Sequence, residues 1–560
     1  MGRAAHSTRS GGRVLVDQLL RHGADLAFCV PGESYLPVLD ALSDRAQRMR
    51  LIACRHEAAA AVMAEAYGKL TGHPGLCLVT RAPGATHAAT ALHTAFHDAT
   101  PMILLIGQVP RAHLDREAFQ ELDYRQVFST TAKWVGQVED PARIPEFVAR
   151  AYATATSGRP GPVVLALPED VLWEEVAVAD AEPVTVSPPH PGSSDMARLR
   201  SLLADASRPL LLVGSGGWSE PARRDIESFA AACDIPVVTA FRCQDYVDND
   251  LEQYAGTLGI APDPALVRRI GDADLLIVVG ERLTDIVTGG YSRPPAPRPP
   301  QTLIHVLPDA DDLGRVYHPD LAITAGAAAF AAAACRLEPV DASTRRQWRA
   351  DARTDCLAHL AAPAAPSAGV DLAAVLGFLR ERLPDDAVLA SGAGNYTTWV
   401  HRFTRYRRYR TQLAPASGAM GYGLPAAIAA KALHPQRTVV AFAGDGCFLM
   451  SGQELATAVQ YDLPVVVIVV NNDGYGTIRM HQERHFPGRI HGTALQNPDF
   501  AAYARAFGGH GETVTDTDSF PAAFERAAAA GLPAVIEVRV DPEQALPHLT
   551  LADVRRGGPR

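Results

Sequence analysis

The chain has 560 residues, 47% of them hydrophobic and 20% charged, too many for one hydrophobic core and enough for about three domains. Its net charge of -10 contains no long run of one sign, and its one basic cluster, 401–410, is local, so nucleic acid is excluded as the expected partner. No apolar stretch reaches the length of a membrane span, and the polar start MGRAAHSTRSGGR leads into no apolar signal core, which predicts a cytoplasmic protein. The eight cysteines show no C-x-x-C spacing and several lie in apolar segments, so they read as reduced structural thiols.

Two Pro/Ser/Ala-rich stretches without periodicity, 183–194 and 361–369, read as linkers. They delimit three parts, 1–182, 195–340 and 370–550. In the first, short apolar runs (LAFCV, LCLVT, MILLIG) alternate with Ala-rich helical segments, and the pair His93 and His97 reads as two partly exposed helix residues. The second continues the alternation (PLLLVG, IPVVTA, DLLIVVG, TLIHV), as does the third (AVLAS, TVVAFA, PVVVIVV). This is the pattern of βαβ units, and it predicts an α/β fold of three domains, each a parallel sheet flanked by helices. Parts one and three also share a layout. Thr80 and Pro101 bracket a glycine-bearing turn and a helix over 21 positions, and Ala443 and Pro464 do the same over 21. Two related domains with the middle part inserted between them are expected.

In part three, VVAFA ends at Gly444-Asp445-Gly446, and about 25 residues later VVVIVV ends at Asn471-Asn472. Both runs read as strands buried on both faces, and open parallel sheets bind ligands at the carboxyl ends of such strands. Magnesium takes hard oxygen ligands and shares them with phosphate. Asp445 offers a carboxylate, Asn472 an amide carbonyl and Gly474 a backbone carbonyl, with diphosphate oxygens and water to complete the octahedron. Gly444 and Gly446 let the backbone approach the phosphates, and a helix start expected near Gln453 and Glu454 adds favourable N–H dipoles.

The combination of Gly-Asp-Gly, this gap and Asn-Asn resembles the thiamine-diphosphate-dependent enzymes. That family's pyrimidine-binding, central and diphosphate-binding domains match the three parts above. The motifs RHEAAAAVMAEAYGKLTG, GQVPR, EAFQE, SGRPGPVVLALPED and SGAMGYGLPAAIAA narrow the resemblance to the acetolactate (acetohydroxyacid) synthase branch, over about Val14 to Val540. The resemblance implies thiamine diphosphate and Mg2+ as cofactors. It also implies small 2-oxo acid and carbonyl substrates, and a homodimer or homotetramer whose subunits complete each other's sites. By position alone, Glu57 in CRHEAAAAV reads as a first-turn glutamate favoured by the helix dipole. The family places a glutamate of this motif against the cofactor's pyrimidine ring, where its carboxyl group promotes loss of the thiazolium proton. Met420 in GAMGYG, otherwise an ordinary core methionine, corresponds to the residue that holds the cofactor bent.

Residues implied to bind substrate are partly kept: Phe119, Gln120 and Lys133 in EAFQELDYRQVFSTTAKW, and Arg159 in GRPGP. Departures from the synthases are Glu33 in PGES, Ala82 and His87 in APGATH, Glu169 in PED, read as a solvent-facing change, and His481 in RMHQER. A Glu33 carboxylate beside the reactive carbon would repel a second 2-oxo acid unless protonated or paired, so an aldehyde or neutral acceptor is expected alongside the plain synthase reading. The middle part opens with LLVGSGGWSE like a dinucleotide turn, while GERLTDIVTGG keeps only part of the synthases' flavin-contacting segment, leaving FAD open between an occupied and a vestigial site. The function expected is a carboligase that decarboxylates a 2-oxo acid and joins the product to a second carbonyl compound. A decarboxylase releasing aldehyde and a flavin-dependent oxidase of the same family are the alternatives.

Overall fold

The computed structural model describes residues 7–361 and 368–557, so most of the second linker lies outside the described residues. Six strands form the first sheet: β1 (Leu26–Cys29), β2 (Arg50–Ala53), β3 (Gly75–Val79), β4 (Met102–Gln108), β5 (Trp134–Gln137) and β6 (Pro162–Pro168). They are all parallel and lie in the order β2-β1-β3-β4-β6-β5. The residues of β3, β4 and β6 are buried throughout, as continuous aliphatic runs covered by helices on both faces require.

The second sheet contains β7 (Pro209–Val213), β8 (Val237–Thr239), β9 (Tyr254–Thr257), β10 (Leu275–Val279), β11 (Thr302–Leu307) and β12 (Leu321–Thr324), in the order β9-β8-β7-β10-β11-β12. The third contains β13 (Val388–Ser391), β14 (Gln412–Leu413), β15 (Val439–Gly444), β16 (Val466–Asn471), β17 (His510–Val514) and β18 (Ala534–Arg539), in the order β14-β13-β15-β16-β18-β17. Counted along the chain, the first and third sheets share one order, 2-1-3-4-6-5, whereas the middle sheet has the 3-2-1-4-5-6 order of dinucleotide-binding folds. The shared order agrees with the matched layout read from the sequence.

By contacts the chain divides into two compact units. The first sheet lies in one, made of 1–187 with 424–435 and 451–464, and the other two sheets lie in the second. Within the second unit, Arg405 and Arg407 of the basic cluster pair with Asp250, and Arg407 also pairs with Asp385. None of the eight cysteines forms a disulfide, and all but Cys335 are buried. His93 and His97 stand exposed on one helix with ring centroids 4.4 Å apart. No helix among the described residues is long and apolar enough to cross a membrane.

Candidate functional site

In the third sheet β15 and β16 are parallel neighbours with Gly444 paired to Val470, so the Gly-Asp-Gly turn and the doubled asparagine emerge side by side at the carboxyl edge. A cavity of about 240 Å³ opens there, and Met420, Gly444, Asp445, Gly446, Asn472 and Gly474 all line it. It lies over β13 and β15, where the strand order reverses, the usual ligand position in an open α/β sheet.

The helical turn after β15 begins at Asp445 itself, with Gly444 as its N-cap. The helix start expected near Gln453 and Glu454 is present as well, with Glu454 as the N-cap of the helix Leu455–Gln460. A 3-10 turn, Gly452–Glu454, leads into that helix, and the Glu454 side chain accepts from the Arg55 N–H at 3.1 Å within the first unit. The chain must tighten immediately after the strand for the Asp445 carboxylate to face the cavity.

Asp445 is buried, and its oxygens accept from Gly446 N (2.9 Å), Gly474 N (3.1 Å) and the side-chain amide of Asn497 (2.7 Å). Burial pushes its carboxyl pKa up, and these three donors oppose the shift. A Cβ on Gly446 would lie 2.6 Å from the Tyr475 ring, so that turn requires glycine. Asn472 packs over Gly476, and the Gly474 carbonyl accepts from Gly476 N at 2.9 Å. Asp473 sits at φ 54°, which turns the chain sharply beneath Asp445.

Asn497 went unnoticed in the sequence because QNPDF carries no spacing that ties it to Asp445. Its amide nitrogen is shared by Asp445 Oδ2, Asn471 Oδ1 (3.0 Å) and Asp473 Oδ1 (3.4 Å), while its own Oδ1 is buried without a partner. The Asn497 amide thus gathers oxygens of Asn471 and Asp473 beside the buried Asp445 carboxylate. Asn471 is anchored from behind through Glu537 (2.7 Å), which also accepts from Thr513 and Arg539. Asn497→Ala is expected to keep the fold and weaken metal-dependent cofactor binding by about 10–100-fold, measured by calorimetric titration. Unchanged affinity would show that Asn497 only braces the loop.

The first unit presents a second group of polar side chains at the carboxyl edge of its own sheet. Glu57 opens helix α1 (Glu57–Thr71), whose N-cap His56 accepts the Ala58 N–H at its Nδ1. Burial, followed by the neighbouring His87, pushes the His56 pKa down, with Glu57 opposing. Glu57 Oε2 lies 2.8 Å from Nδ1 of His87, which comes from helix α2 (Ala82–Asp98). The His56 and His87 rings stack with centroids 4.5 Å apart, and one ligand atom from each of His56, Glu57 and His87 falls within 4.8 Å of the others. A Cβ on Gly84 would stand 3.3 Å from Glu57 Oε1 and 3.2 Å from Thr80, so glycine keeps that carboxylate oxygen clear.

Arg81, buried to 7% exposure, bonds Glu33 Oε1 at 3.2 Å and pairs with Glu169. Glu169 therefore does not simply face solvent, as its sequence context suggested: a buried guanidinium needs acceptors, and it takes both carboxylates. Gln120 sits at φ 65° and its carbonyl accepts from Ala82 N at 3.2 Å, bringing its loop to the same edge. Phe119 beside it is 76% exposed.

Two residues expected near substrate are committed elsewhere. Lys133 donates to the Thr154 and Ser157 carbonyls, both at 2.6 Å, and Arg159 to those of Phe96 and His97. Each satisfies carbonyls left unpaired at a helix C-terminus. His481 is exposed on helix α3 (Gly476–His485), whose residues Gly476, Thr477 and Ile478 line the cavity.

Family models match all three parts: the thiamine pyrophosphate enzyme N-terminal TPP binding domain over residues 9–127, the central domain over 196–334 and the C-terminal TPP binding domain over 392–538. The chain is a thiamine pyrophosphate enzyme. Relatives narrow the branch. It is 33% identical to the acetolactate synthase large subunit of Parasynechococcus marenigrum (strain WH8102), over 96% of this chain and 88% of that one. It is 31% identical to the acetolactate synthase isozyme 2 large subunit of Escherichia coli (strain K12), over 95% and 96%. It is 30% identical to the probable acetolactate synthase large subunit of Methanocaldococcus jannaschii, over 96% and 93%. This thiamine pyrophosphate enzyme is a carboligase of the acetolactate synthase type, a transferase with its cofactor domains at the two ends of the chain.

Proposed function

We propose that the enzyme holds Mg2+ on Asp445, the Asn472 side chain and the Gly474 carbonyl, and that Glu57 is the carboxyl group that activates the cofactor. The observation that carries the reading is that buried Asp445, Asn472 and Gly474 together line a cavity at the strand-order reversal. Thiamine diphosphate, when bound, supplies the carbon that accepts the electron pair released as a 2-oxo acid loses carbon dioxide.

The chain's own residues do the rest. Gly444, Gly446 and Met420 line the cavity that would take the cofactor's diphosphate end, and Asp445 with Asn472 would hold the metal that neutralises phosphate charge there. Glu57 keeps Oε2 on His87 and leaves Oε1 facing the open side of Gly84, ready to share a proton with the pyrimidine. From the resemblance to the acetolactate synthases, we infer a homodimer or higher homo-oligomer in which Glu57 of one subunit serves the metal site of another. The eight cysteines, none of them in a disulfide, support a cytoplasmic setting. Product analysis of the protein reconstituted with thiamine diphosphate, Mg2+ and pyruvate tests the carboligase reading: carbon dioxide release without a new carbon–carbon bond, under every acceptor offered, would favour the decarboxylase alternative.

For the flavin, the middle sheet has the dinucleotide strand order, but its crevice does not fit a diphosphate. A Cβ on Gly214, just beyond β7, would stand 3.1 Å from the Glu281 carboxylate, which follows β10 and is buried. Trp218 is buried at the same turn, and its Nε1 donates to the Gly214 carbonyl at 3.3 Å. A carboxylate at this turn repels a pyrophosphate where dinucleotide folds present free N–H groups. We expect the purified protein to be colourless, without flavin absorbance. A yellow protein that releases FAD on denaturation would overturn this.

A further inference from the structure

Glu33, Arg81 and Glu169 each follow a strand of the first sheet: β1, β3 and β6. Glu33 opens the 3-10 turn Glu33–Tyr35, Arg81 is the N-cap of α2, and Glu169 starts the helix Glu169–Trp173. They meet at the edge that also carries Glu57. A Cβ on Gly32 would lie 2.5 Å from Thr80 Cβ, Ser34 Oγ is 3.0 Å from Thr80 Oγ1, and Thr80 touches the Gly84 position that borders Glu57 Oε1. The strand order reverses between β1 and β3, so Glu33 and Arg81 flank the ligand-binding crevice of this sheet.

Arg81 is the deeply buried member, its guanidinium already divided between two carboxylates. Glu169 holds one end from inside the fold, with 27% of its side chain exposed, whereas Glu33 reaches the other end from a side chain 71% exposed. A guanidinium edge is a ready fork for a substrate carboxylate. Here the protein's own Glu33 carboxylate already takes it, and the three side chains together carry one net negative charge.

We propose that Glu33 occupies, on Arg81, the place a carboxylate of the second substrate would otherwise take, so that the acceptor is an uncharged carbonyl compound, an aldehyde or ketone without a carboxylate. The inference rests on the reading of Glu57 as the activating group, because that places this edge beside the reacting carbon. In the reaction the 2-oxo acid loses carbon dioxide, one carbon–carbon bond forms between its former carbonyl carbon and the acceptor's carbonyl carbon, and the acceptor oxygen takes up one proton. The sum is 2-oxo acid anion, aldehyde and one proton going to a hydroxyketone and carbon dioxide, with no outside oxidant or reductant. Glu33 acts by exclusion, leaving a neutral acceptor as the one that enters without an unpaired charge.

The test offers pyruvate as donor to the enzyme reconstituted with thiamine diphosphate and Mg2+, with either propanal or a second pyruvate as acceptor, and compares kcat/KM for the two products. The unmodified enzyme should favour propanal. Glu33→Ala should shift the ratio toward pyruvate by about tenfold or more, because Arg81 then has an open edge for the acceptor carboxylate. Glu33→Ala combined with Arg81→Met should lose that gain, and Glu33→Ala combined with Arg81→Lys should keep part of it. Thermal melts of each variant separate lost folding from lost selectivity. An unmodified enzyme that joins two pyruvates as well as pyruvate and propanal overturns the proposal, as does a ratio unmoved by Glu33→Ala or a gain that survives Arg81→Met. Carbon dioxide release by each variant is read in parallel: without it the Glu57 reading has failed, and with it an unmoved ratio counts against the acceptor assignment alone.

Discussion

Asp445→Ala is expected to lower the affinity for thiamine diphosphate in the presence of Mg2+ by a factor of at least about 100, equivalent to about 2.7 kcal/mol, and to leave the fold intact. The substitution removes a hard anionic oxygen donor from the carboxyl edge of β15, and Asn472 and the Gly474 carbonyl that remain carry no charge. The fold should survive because Asp445 is a costly residue in the absence of a cation: burial raises its pKa, and three donors only partly offset that cost. Calorimetric titration of cofactor with Mg2+ and again with EDTA reads the effect, and circular dichroism reports the fold. In the unmodified protein EDTA should reproduce most of the loss, whereas in the variant it should change little. Equal affinity in the two proteins would remove Asp445 from the metal site.

Glu57→Gln is expected to keep cofactor affinity within about tenfold and to slow exchange of the thiazolium proton for deuterium by a factor of roughly 100 to 10,000. Glutamine keeps the length of the side chain and can still bond His87, but it cannot share a proton with the pyrimidine. Exchange followed by NMR reads this step without any substrate, so it is independent of which acceptor the enzyme uses. Wild-type exchange in the variant would reduce Glu57 to a helix-start residue. A variant that loses cofactor binding altogether would mean that the carboxylate holds the cofactor rather than activating it.

The legible part of this protein is the part encoded locally. Aliphatic runs too continuous for a half-exposed strand predicted buried parallel sheets, and the abrupt ends at Gly444-Asp445-Gly446 and Asn471-Asn472 predicted a polar ligand at the sheet edge. Both follow from rules that act within about ten residues of chain: side-chain burial on two faces, and the freedom of glycine to turn tightly. The equal spacing of Thr80 and Pro101 with Ala443 and Pro464 is a local rhythm of the same kind, and the shared strand order of the outer sheets agrees with it.

What the chain order concealed is every decision made between distant segments. Arg81 finds Glu33 across 48 residues and Glu169 across 88, and Asn497 finds Asp445 across 52. No periodicity connects such positions, because it is the parallel sheet that brings successive strand ends to one edge. The same limit explains Lys133 and Arg159, which their motifs placed near substrate and which the fold spends on open carbonyls at helix C-termini. Residue types and strand ends carry the cofactor chemistry in sequence. The pairing of charges at the sheet edge, and with it the choice of which substrate carboxylate is admitted, exists only after folding, because electrostatic partnership depends on distance in space and burial rather than on separation along the chain.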